Sequence, residues 1–467
     1  MNMDPTFNPA VALAEGAYES GRRDDAVRGA LDRLATTLGW SGPDRGPFAH
    51  VIVPGARVLI KPNLVLHENE GPWGLEPLIT DAAVIHAAAE AALQAGASQV
   101  TVGDAPIQSC DFERLMRQTG LAEWAQTLAE REPRFLGVRD FRRTTCVLSH
   151  GVRVASENLQ PEDRFVLFDL GGDSLLEPIT DQRTPFRVTW YDPRLMARTH
   201  APGRHQYLIA KEVLEADVVI NLPKLKTHKK AGVTAALKNL IGINGNKEYL
   251  PHHRVGGAAA GGDCYPNDSY VKRALETIAD RRNQTHSRLG GIWYSGLTFT
   301  LSRLLRAGGD RLGYEGSWSG NDTIWRTCLD LNRILLYGRW DGRMSETPQR
   351  RVVHVVDALV AGQGDGPLAP KPLPLNMLLG GDNAAAVDWV AAHLLGYDAA
   401  KIPLAREAFG AFRWPIAAFT PEQVRLAGDG VPAQVTALAD RTIASGIEHP
   451  IGWRDAARPR TLAQHAA

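Results

Sequence analysis

The chain of 467 residues carries 52 Lys and Arg against 52 Asp and Glu, so its formal net charge is zero. Its 44% hydrophobic and 22% charged residues are typical of a globular protein with two to three domains, or one domain with insertions. The balanced charge argues against general nucleic-acid or anionic-membrane binding, which usually needs a basic excess.

Several short patterns are absent from the sequence. None of the four cysteines lies within four residues of another, which excludes a CxxC zinc site or an iron–sulfur run. No GxGxxG or P-loop occurs, so there is no nucleotide motif. The N-terminus does not resemble a signal peptide, and no run of about 18 apolar residues predicts a membrane span. We therefore expect a cytoplasmic protein.

The first half of the chain alternates between strand and helix patterns. Residues 1–50 predict a helical lead-in, because "DDAVRGALDRLATTLGW" has helical apolar spacing. "ARVLIKPNLV" predicts a strand, Thr80 caps a predicted helix that runs to Ser98, and "QVTVGDAP" predicts a second strand. This alternation predicts an α/β fold of mostly parallel sheets with flanking helices and a site at the strand carboxyl ends.

Composition divides the rest of the chain. Residues 51–255 form an α/β domain, whose short strands between 130 and 215 look more antiparallel. A helical, aromatic-rich insertion or cap is expected at 256–350, and a second α/β segment at 351–420 completes the core. Residues 421–467 are more polar and are expected at the periphery.

Polar residues follow the ends of the predicted strands, and the densest group is the block "NLPKLKTHKK" that starts at Asn221. Ligands of open α/β sheets bind at this edge, so we expect these residues to converge on one crevice. Ammonium groups beside a helix N-terminus, here expected near Gly232 and Thr234, favour a phosphate or carboxylate. Crowded lysines also depress one another's pKa, which suits a general base. The alternative is a solvated surface run of lysines.

Roles follow from these residue types. The candidate catalytic residues are Asp104, His228, His253 and Lys238. The candidate substrate-binding residues are Lys61, Asn63, Asn221, Lys224, Lys226, Thr227, Lys229, Asn239 and Lys247. Asp104 and Asp365 are candidate ligands of a divalent cation, Mg²⁺ or Mn²⁺. Alternatively, Asp104 caps a helix or turn and Asp365 shapes a turn. The histidines lack HxH or HExxH spacing, which weakens a metal role for them.

A series of blocks resembles the domain-of-unknown-function 362 family in sequence and order. The blocks are "VLIKPNLV", "VTVGDAP", "DVVINLPKLKTH", "TAALKNLIGI", "NKEYLPHH", "VVDALVAGQGDGP" and "GGDNAAAVDWVAAHLLGYD". The resemblance covers roughly Val51 to Tyr397, interrupted by residues 256–350. Many members carry ferredoxin-type cysteines, which are missing here, so no iron–sulfur cluster or redox role is implied.

The resemblance implies a fold more than a reaction, because the family has no settled general chemistry. The insertion is similar to that of a subgroup associated with carbohydrate or specialised metabolism. A fainter similarity to the lactate racemase fold, with lysines and histidines around a small hydroxy acid, is an analogy only. It does not imply the nickel-pincer cofactor of that enzyme.

Three functions fit the sequence. The first is an enzyme that performs acid–base chemistry, as an isomerase, epimerase or lyase, on a small phosphorylated or carboxylated metabolite. The second is a non-catalytic binding protein for an anionic metabolite or glycan intermediate. The third is a metal-assisted transferase or hydrolase. The expected partner is the small anionic substrate, and the sequence does not indicate an oligomeric state.

Overall fold

A computed structural model describes residues 5–16, 23–149, 152–285, 287–428, 431–432 and 434–459. Its central element is a ten-stranded mixed sheet. In chain order its strands are β1 (Ala10–Glu15), β2 (Arg57–Pro62), β3 (Gln99–Asp104), β4 (Phe135–Asp140), β5 (Val218–Leu222), β6 (Lys224–His228), β7 (Gly232–Thr234), β8 (Arg351–Gln363), β9 (Lys371–Gly381) and β10 (Arg425–Ala427).

Most neighbouring strands of this sheet are parallel. The order is β10-β1-β9-β8-β5-β2-β3-β4, with β6 paired to β8 and β7 to β6. The pairs β1/β9, β8/β9 and β6/β7 are antiparallel, and the other pairs are parallel. The predicted α/β class with mostly parallel strands is therefore confirmed.

Helices cover both faces of the sheet. In the described residues they are α1 (Arg23–Thr37), α2 (Ala82–Gln94), α3 (Phe112–Gln118), α4 (Leu121–Arg131), α5 (Pro193–Thr199), α6 (Lys211–Glu215), α7 (Ala236–Asn239), α8 (Tyr270–Gln284), α9 (Arg288–Ala307), α10 (Ile324–Tyr337), α11 (Ala384–Leu394), α12 (Pro403–Glu407) and α13 (Leu438–Ala444). Among them, no helix combines the length and apolar character needed to cross a membrane.

Side-chain alternation along the strands separates two core layers. Ile60 of β2 and Ile220 of β5 pack with α1 and α2 on one face. Leu59 and Val219, the preceding residues, pack with α10 on the other face. Successive side chains of a strand point to opposite faces. The position of a polar residue at the end of a strand therefore determines which of the two faces its side chain lies on.

The terminal segments contribute strands to the sheet. A helical lead-in was expected within residues 1–50, but Ala10–Glu15 instead forms β1. This six-residue strand pairs antiparallel with β9 and so extends the sheet beyond it. Near the other terminus β10 pairs with β1, and Trp453 is buried. These contacts join distant parts of the chain, which local sequence patterns do not reveal.

The expected insertion, 256–350, differs along its length. The pair α8 and α9 lies at the surface, whereas α10 is buried on nearly every side. Ile324 and Leu329 of α10 pack in a hydrophobic cluster with α11, and Ile334 packs in the cluster that contains Leu59 and Val219. Upstream, the strands Phe165–Asp169 and Arg204–Ala210 pair antiparallel. The other short strands in the described residues are Thr144–Ser149, Val152–Asn158, Phe186–Arg187, His200–Ala201 and His253–Arg254.

Two expected helix starts lie elsewhere. Asp81 caps α2 by accepting from the Ala83 amide, while the Thr80 hydroxyl donates to Leu222 O and so joins the segment before α2 to β5. The predicted helix from Gly232 begins instead at Ala236, since Gly232–Thr234 forms β7. A 3₁₀ turn, Leu240–Ile243, continues this short helix.

Candidate anion-binding site

The carboxyl ends of the central parallel strands lie at one edge of the sheet. Asn221 of β5 is in register with Lys61 of β2 and with His354 of β8. Lys224 of β6 is in register with Asp357 of β8. The polar residues that follow these strands are therefore neighbours, as the topology of a parallel sheet requires.

Lys61 and Asp104 form a buried ion pair at this edge. Their Nζ–Oδ1 distance is 2.7 Å, and the two side chains are 0% and 3% exposed. Lys61 Nζ also donates to Pro62 O, and Asp104 Oδ2 accepts from the Leu64 amide at 2.6 Å. Burial lowers the pKa of Lys61 and raises that of Asp104, while their mutual attraction opposes both shifts. Asp104 is thus satisfied by the protein itself.

An amide layer holds this pair in place. Asn239 Nδ2 donates to Asn221 Oδ1 at 2.8 Å, and Asn221 Nδ2 donates to Ala236 O and to His354 Nδ1. His354 accepts here because its burial lowers its pKa to about 3 and keeps it neutral. The chain crosses the ion pair at Gly242, where an added Cβ would lie 1.9 Å from Asp104 Oδ1.

Lys224 forms a second buried pair, on the other side of the sheet. Its Nζ lies 2.6 Å from Asp357 Oδ2, and both side chains are 0% exposed. The same oxygen accepts from the amide of Asp81 at the start of α2, whereas Lys61 faces Asn239 of α7. Contrary to expectation, the two lysines therefore do not face one crevice, since each is neutralised by its own carboxylate on opposite faces.

A group of lysines and histidines near these pairs has no such neutralisation. We call it the cationic cluster, and its members are Lys226, Lys230, Lys238, Lys247, His228 and His252. None of them forms an ion pair with another residue in the described ranges. Lys226 Nζ instead donates to Leu78 O and Asn63 Oδ1, and Lys230 Nζ to Thr189 Oγ1.

Burial and mutual repulsion act together on the cluster. Burial, with a smaller contribution from neighbouring lysines, lowers the pKa of Lys230 and Lys247 to about 8. The pKa of Lys226 falls well below its ordinary range for the same reasons, and that of Lys238 is also lowered. Glu315 raises the pKa of Lys230 from a distance but forms no ion pair with it. A buried ammonium is costly unless an anion pairs with it or the lowered pKa removes its charge.

The two histidines of the cluster have opposite tautomers. His228 Nδ1 accepts from the amides of Lys230 and Ala231, so in the neutral ring the proton is on Nε2. His252 Nδ1 donates to Leu250 O at 2.6 Å, which leaves the lone pair on Nε2. Burial and the surrounding lysines hold the pKa of both rings well below the usual range, so both are neutral at pH 7.

Several predicted site residues lie outside the cluster. Thr227 Oγ1 donates to Gly364 O, a contact within the fold. His253 is buried with an unpartnered Nδ1 and lines a small cavity beside Arg187. Lys229 and Asp365 line a separate surface pocket of about 410 Å³. The expected helix N-terminus is not open to a ligand, because the Leu237 amide donates to Asp388.

The predicted divalent cation stays a prediction. Asp104 forms an ion pair with Lys61 and accepts a hydrogen bond from the Leu64 amide. Asp365 lines the surface pocket and not the site around Asp104. Within the described ranges no group of three or more His, Cys, Asp or Glu is arranged to hold a metal ion.

Lys230 and His252 are the members of the cluster that the sequence predictions missed. Both lie next to a residue that was selected, Lys229 and His253 respectively. The available signal was the local density of cations, but this density does not reveal which of two adjacent side chains points inward. Here Lys230 is 6% exposed and turns into the cluster, while Lys229 lines the surface pocket.

Fold and site together define an α/β protein with a buried cationic site at the carboxyl edge of its sheet. The sequence profile described as "domain of unknown function (DUF362)" matches residues 58–153 and 183–393, well over half of the chain. The protein belongs to the DUF362 family, which confirms the resemblance seen in the sequence.

Two solved structures are similar at low identity. A protein from Thermotoga maritima is 11% identical with a TM-score of 0.31, over 75% of this chain and 54% of that chain. The lactate racemase apoprotein from Thermoanaerobacterium thermosaccharolyticum is 12% identical with a TM-score of 0.34, over 84% and 58%. The chain thus spans little more than half the length of either, and such TM-scores say nothing about function. A comparison with curated proteins finds no match.

Proposed function

We propose that the protein is an enzyme that binds a small phosphorylated or carboxylated metabolite in the cationic cluster and transfers a proton next to its carbonyl carbon. The observation that carries this proposal is the contrast between two sets of lysines, all of them buried except the half-buried Lys247. Lys61 and Lys224 each have a carboxylate at hydrogen-bonding distance, whereas the lysines of the cluster have none in the described residues. An anionic substrate supplies the missing negative charge.

The cluster lysines bind the anion and stabilise charge that develops during the reaction. Buried ammonium groups interact strongly with an oxyanion, because little water screens them. Lys226 is held by Asn63 Oδ1 and Leu78 O, so it is fixed before the substrate arrives. Lys238 has no hydrogen-bond acceptor within the fold as described, which suits a group that acts on the substrate.

The two histidines are suited to opposite halves of a proton transfer. Nε2 of His252 carries a lone pair and takes the proton from the carbon next to the carbonyl. Nε2–H of His228 donates to the oxygen on which negative charge develops. Return of a proton to the same or the neighbouring carbon gives an epimerase or isomerase, and loss of a β-substituent gives a lyase.

Solvent exchange tests this function directly. The protein is screened by thermal shift against phosphorylated sugars and carboxylated hydroxy acids, and each stabilising compound is incubated in D₂O and followed by NMR. We expect deuterium to enter one carbon-bound position, and His252→Gln to slow entry at least about a hundredfold while binding is kept. His50→Gln, at an exposed histidine, serves as the control.

Each negative result has a distinct meaning. Binding without exchange for every compound would leave a non-catalytic binding protein for an anionic metabolite. No stabilisation by any anion would contradict the site itself. Exchange that is unaffected by His252→Gln and His228→Gln would show that other groups move the proton.

A further inference from the structure

Helix α9 exposes an apolar stripe that the proposed function does not use. Its members are Leu289, Ile292, Trp293, Phe299 and Leu304, which are between 53% and 79% exposed. At about 100° per residue, these positions fall within roughly 140° of one another, which places them on one face of the helix. Gly291 and Thr298, which are buried, mark the face toward the protein, where α9 packs on α8.

The stripe is large for a surface that remains in water. From Leu289 to Leu304 the helix rises about 22 Å at 1.5 Å per residue. Single exposed apolar side chains are common, but five of them along one face of a single helix, including Trp and Phe, mark an interaction surface. The row projects from one surface helix, so it presents a convex face rather than a groove.

The charge of α9 identifies the partner. Its sequence "RLGGIWYSGLTFTLSRLLRA" contains no acidic residue, although the whole chain is neutral. Arg303 and Arg306 are exposed, and the Arg303 guanidinium lies 5.6 Å from the Phe299 ring. Apolar and aromatic side chains beside arginines, with no acids, are typical of helices that lie in the interface of an anionic membrane.

We propose that α9 docks the protein on an anionic lipid surface, with the helix axis in the plane of the membrane and the stripe inserted among the headgroups. Trp293 contributes an amphipathic ring of the kind enriched at this depth. A second copy of the chain is a poorer partner, because two α9 faces would bring arginines together with no acid in α9 to neutralise them. The neutral net charge masked this local feature in the sequence.

Vesicle flotation of the full chain tests docking without reference to the catalytic site. We expect the protein to float with vesicles of phosphatidylcholine and phosphatidylserine, but not with pure phosphatidylcholine, and to be released by high salt. The variant Trp293→Ser/Phe299→Ser should lower the bound fraction at least about tenfold. Trp340→Ser, at a tryptophan that is 76% exposed outside α9, is the matched control and should leave flotation unchanged.

Other outcomes overturn the proposal. Wild-type protein that fails to float, or floats equally after Trp293→Ser/Phe299→Ser, excludes α9 as a membrane surface. A lipid-independent dimer in analytical ultracentrifugation that the same double substitution dissociates would identify a second copy as the partner. The variant Arg303→Glu separates charge from apolar insertion, and unchanged flotation of this variant would contradict the choice of an anionic surface.

Discussion

At the scale of single residues, the buried lysines differ in how the fold compensates them. Lys224 is neutralised within the fold, because its Nζ pairs with Asp357 Oδ2 and also donates to Val360 O. Lys226, two residues later, meets only neutral oxygens. The first arrangement neutralises its lysine without a ligand, whereas under the proposed function an anion completes the second.

Removal of one carboxylate tests the structural role of the Lys224 pair. Asp357→Asn should lower the free energy of unfolding by about 3–5 kcal/mol, because it leaves the Lys224 ammonium buried and unpaired. Urea denaturation followed by circular dichroism measures the change. Asp25→Asn, in an exposed pair with Arg28, is the control and should change stability little. Equal effects of the two substitutions would contradict the role of burial.

At the scale of elements, the short segment from Ala236 to Ile243 determines the shape of the site. Asn239 bonds to Asn221 and faces Lys61, and Lys238 points into the cluster. The main chain then passes directly over the Lys61–Asp104 pair at Gly242. The single helical turn α7 therefore holds the Lys61–Asp104 ion pair in place and also directs Lys238, which has no carboxylate partner in the described residues, into the cluster.

The close approach of the main chain at Gly242 predicts that a larger residue at this position destabilises the fold. Gly242→Ala should lower the free energy of unfolding by about 1–3 kcal/mol, because its Cβ would collide with Asp104 Oδ1 and lie 2.8 Å from Lys61 Nζ. Gly296→Ala, in α9 with nothing within 4 Å, should instead raise it by up to about 1 kcal/mol. Chemical denaturation of both variants measures whether each substitution raises or lowers the free energy of unfolding. A neutral or stabilising Gly242→Ala would show that the segment moves freely.

At the scale of the whole molecule, the cluster links stability to pH. The folded chain holds the pKa of Lys230 and Lys247 at about 8, below their ordinary 10.5. Between these values the unfolded chain binds protons that the folded chain has lost, so the free energy of unfolding rises with pH. Under the proposed function, anion binding needs the protonated lysines, so the affinity for the anion should fall over the same pH window.

These opposite slopes form one prediction. From about pH 7.5 to 9.5, the two lysines should make the anion-free protein more stable toward urea, while calorimetry shows weaker phosphate binding. Lys230→Met/Lys247→Met should flatten both slopes, and Lys401→Met, at an exposed lysine, should not. Stability and affinity that change in the same direction would contradict the assignment of these groups.

Sequence patterns predicted the strands and their shared edge because buried strands and their polar ends are local features. They did not predict that Lys224 is neutralised, since its partner Asp357 comes from a distant strand whose register is set by the sheet. They also did not predict the histidine tautomers, which depend on the backbone groups near each ring. The local density of cations was visible in the sequence, but its division into neutralised and unneutralised side chains required the fold.

The unneutralised cluster has a consequence for the living cell. A ligand that binds only the folded chain multiplies the ratio of folded to unfolded chains by about 1 + L/Kd, where L is the free ligand concentration. Proteases remove chains that unfold, so the steady-state amount of this protein should follow the supply of its anionic metabolite. Under the proposed function, cells starved of that metabolite would contain less of the enzyme without any change in its synthesis.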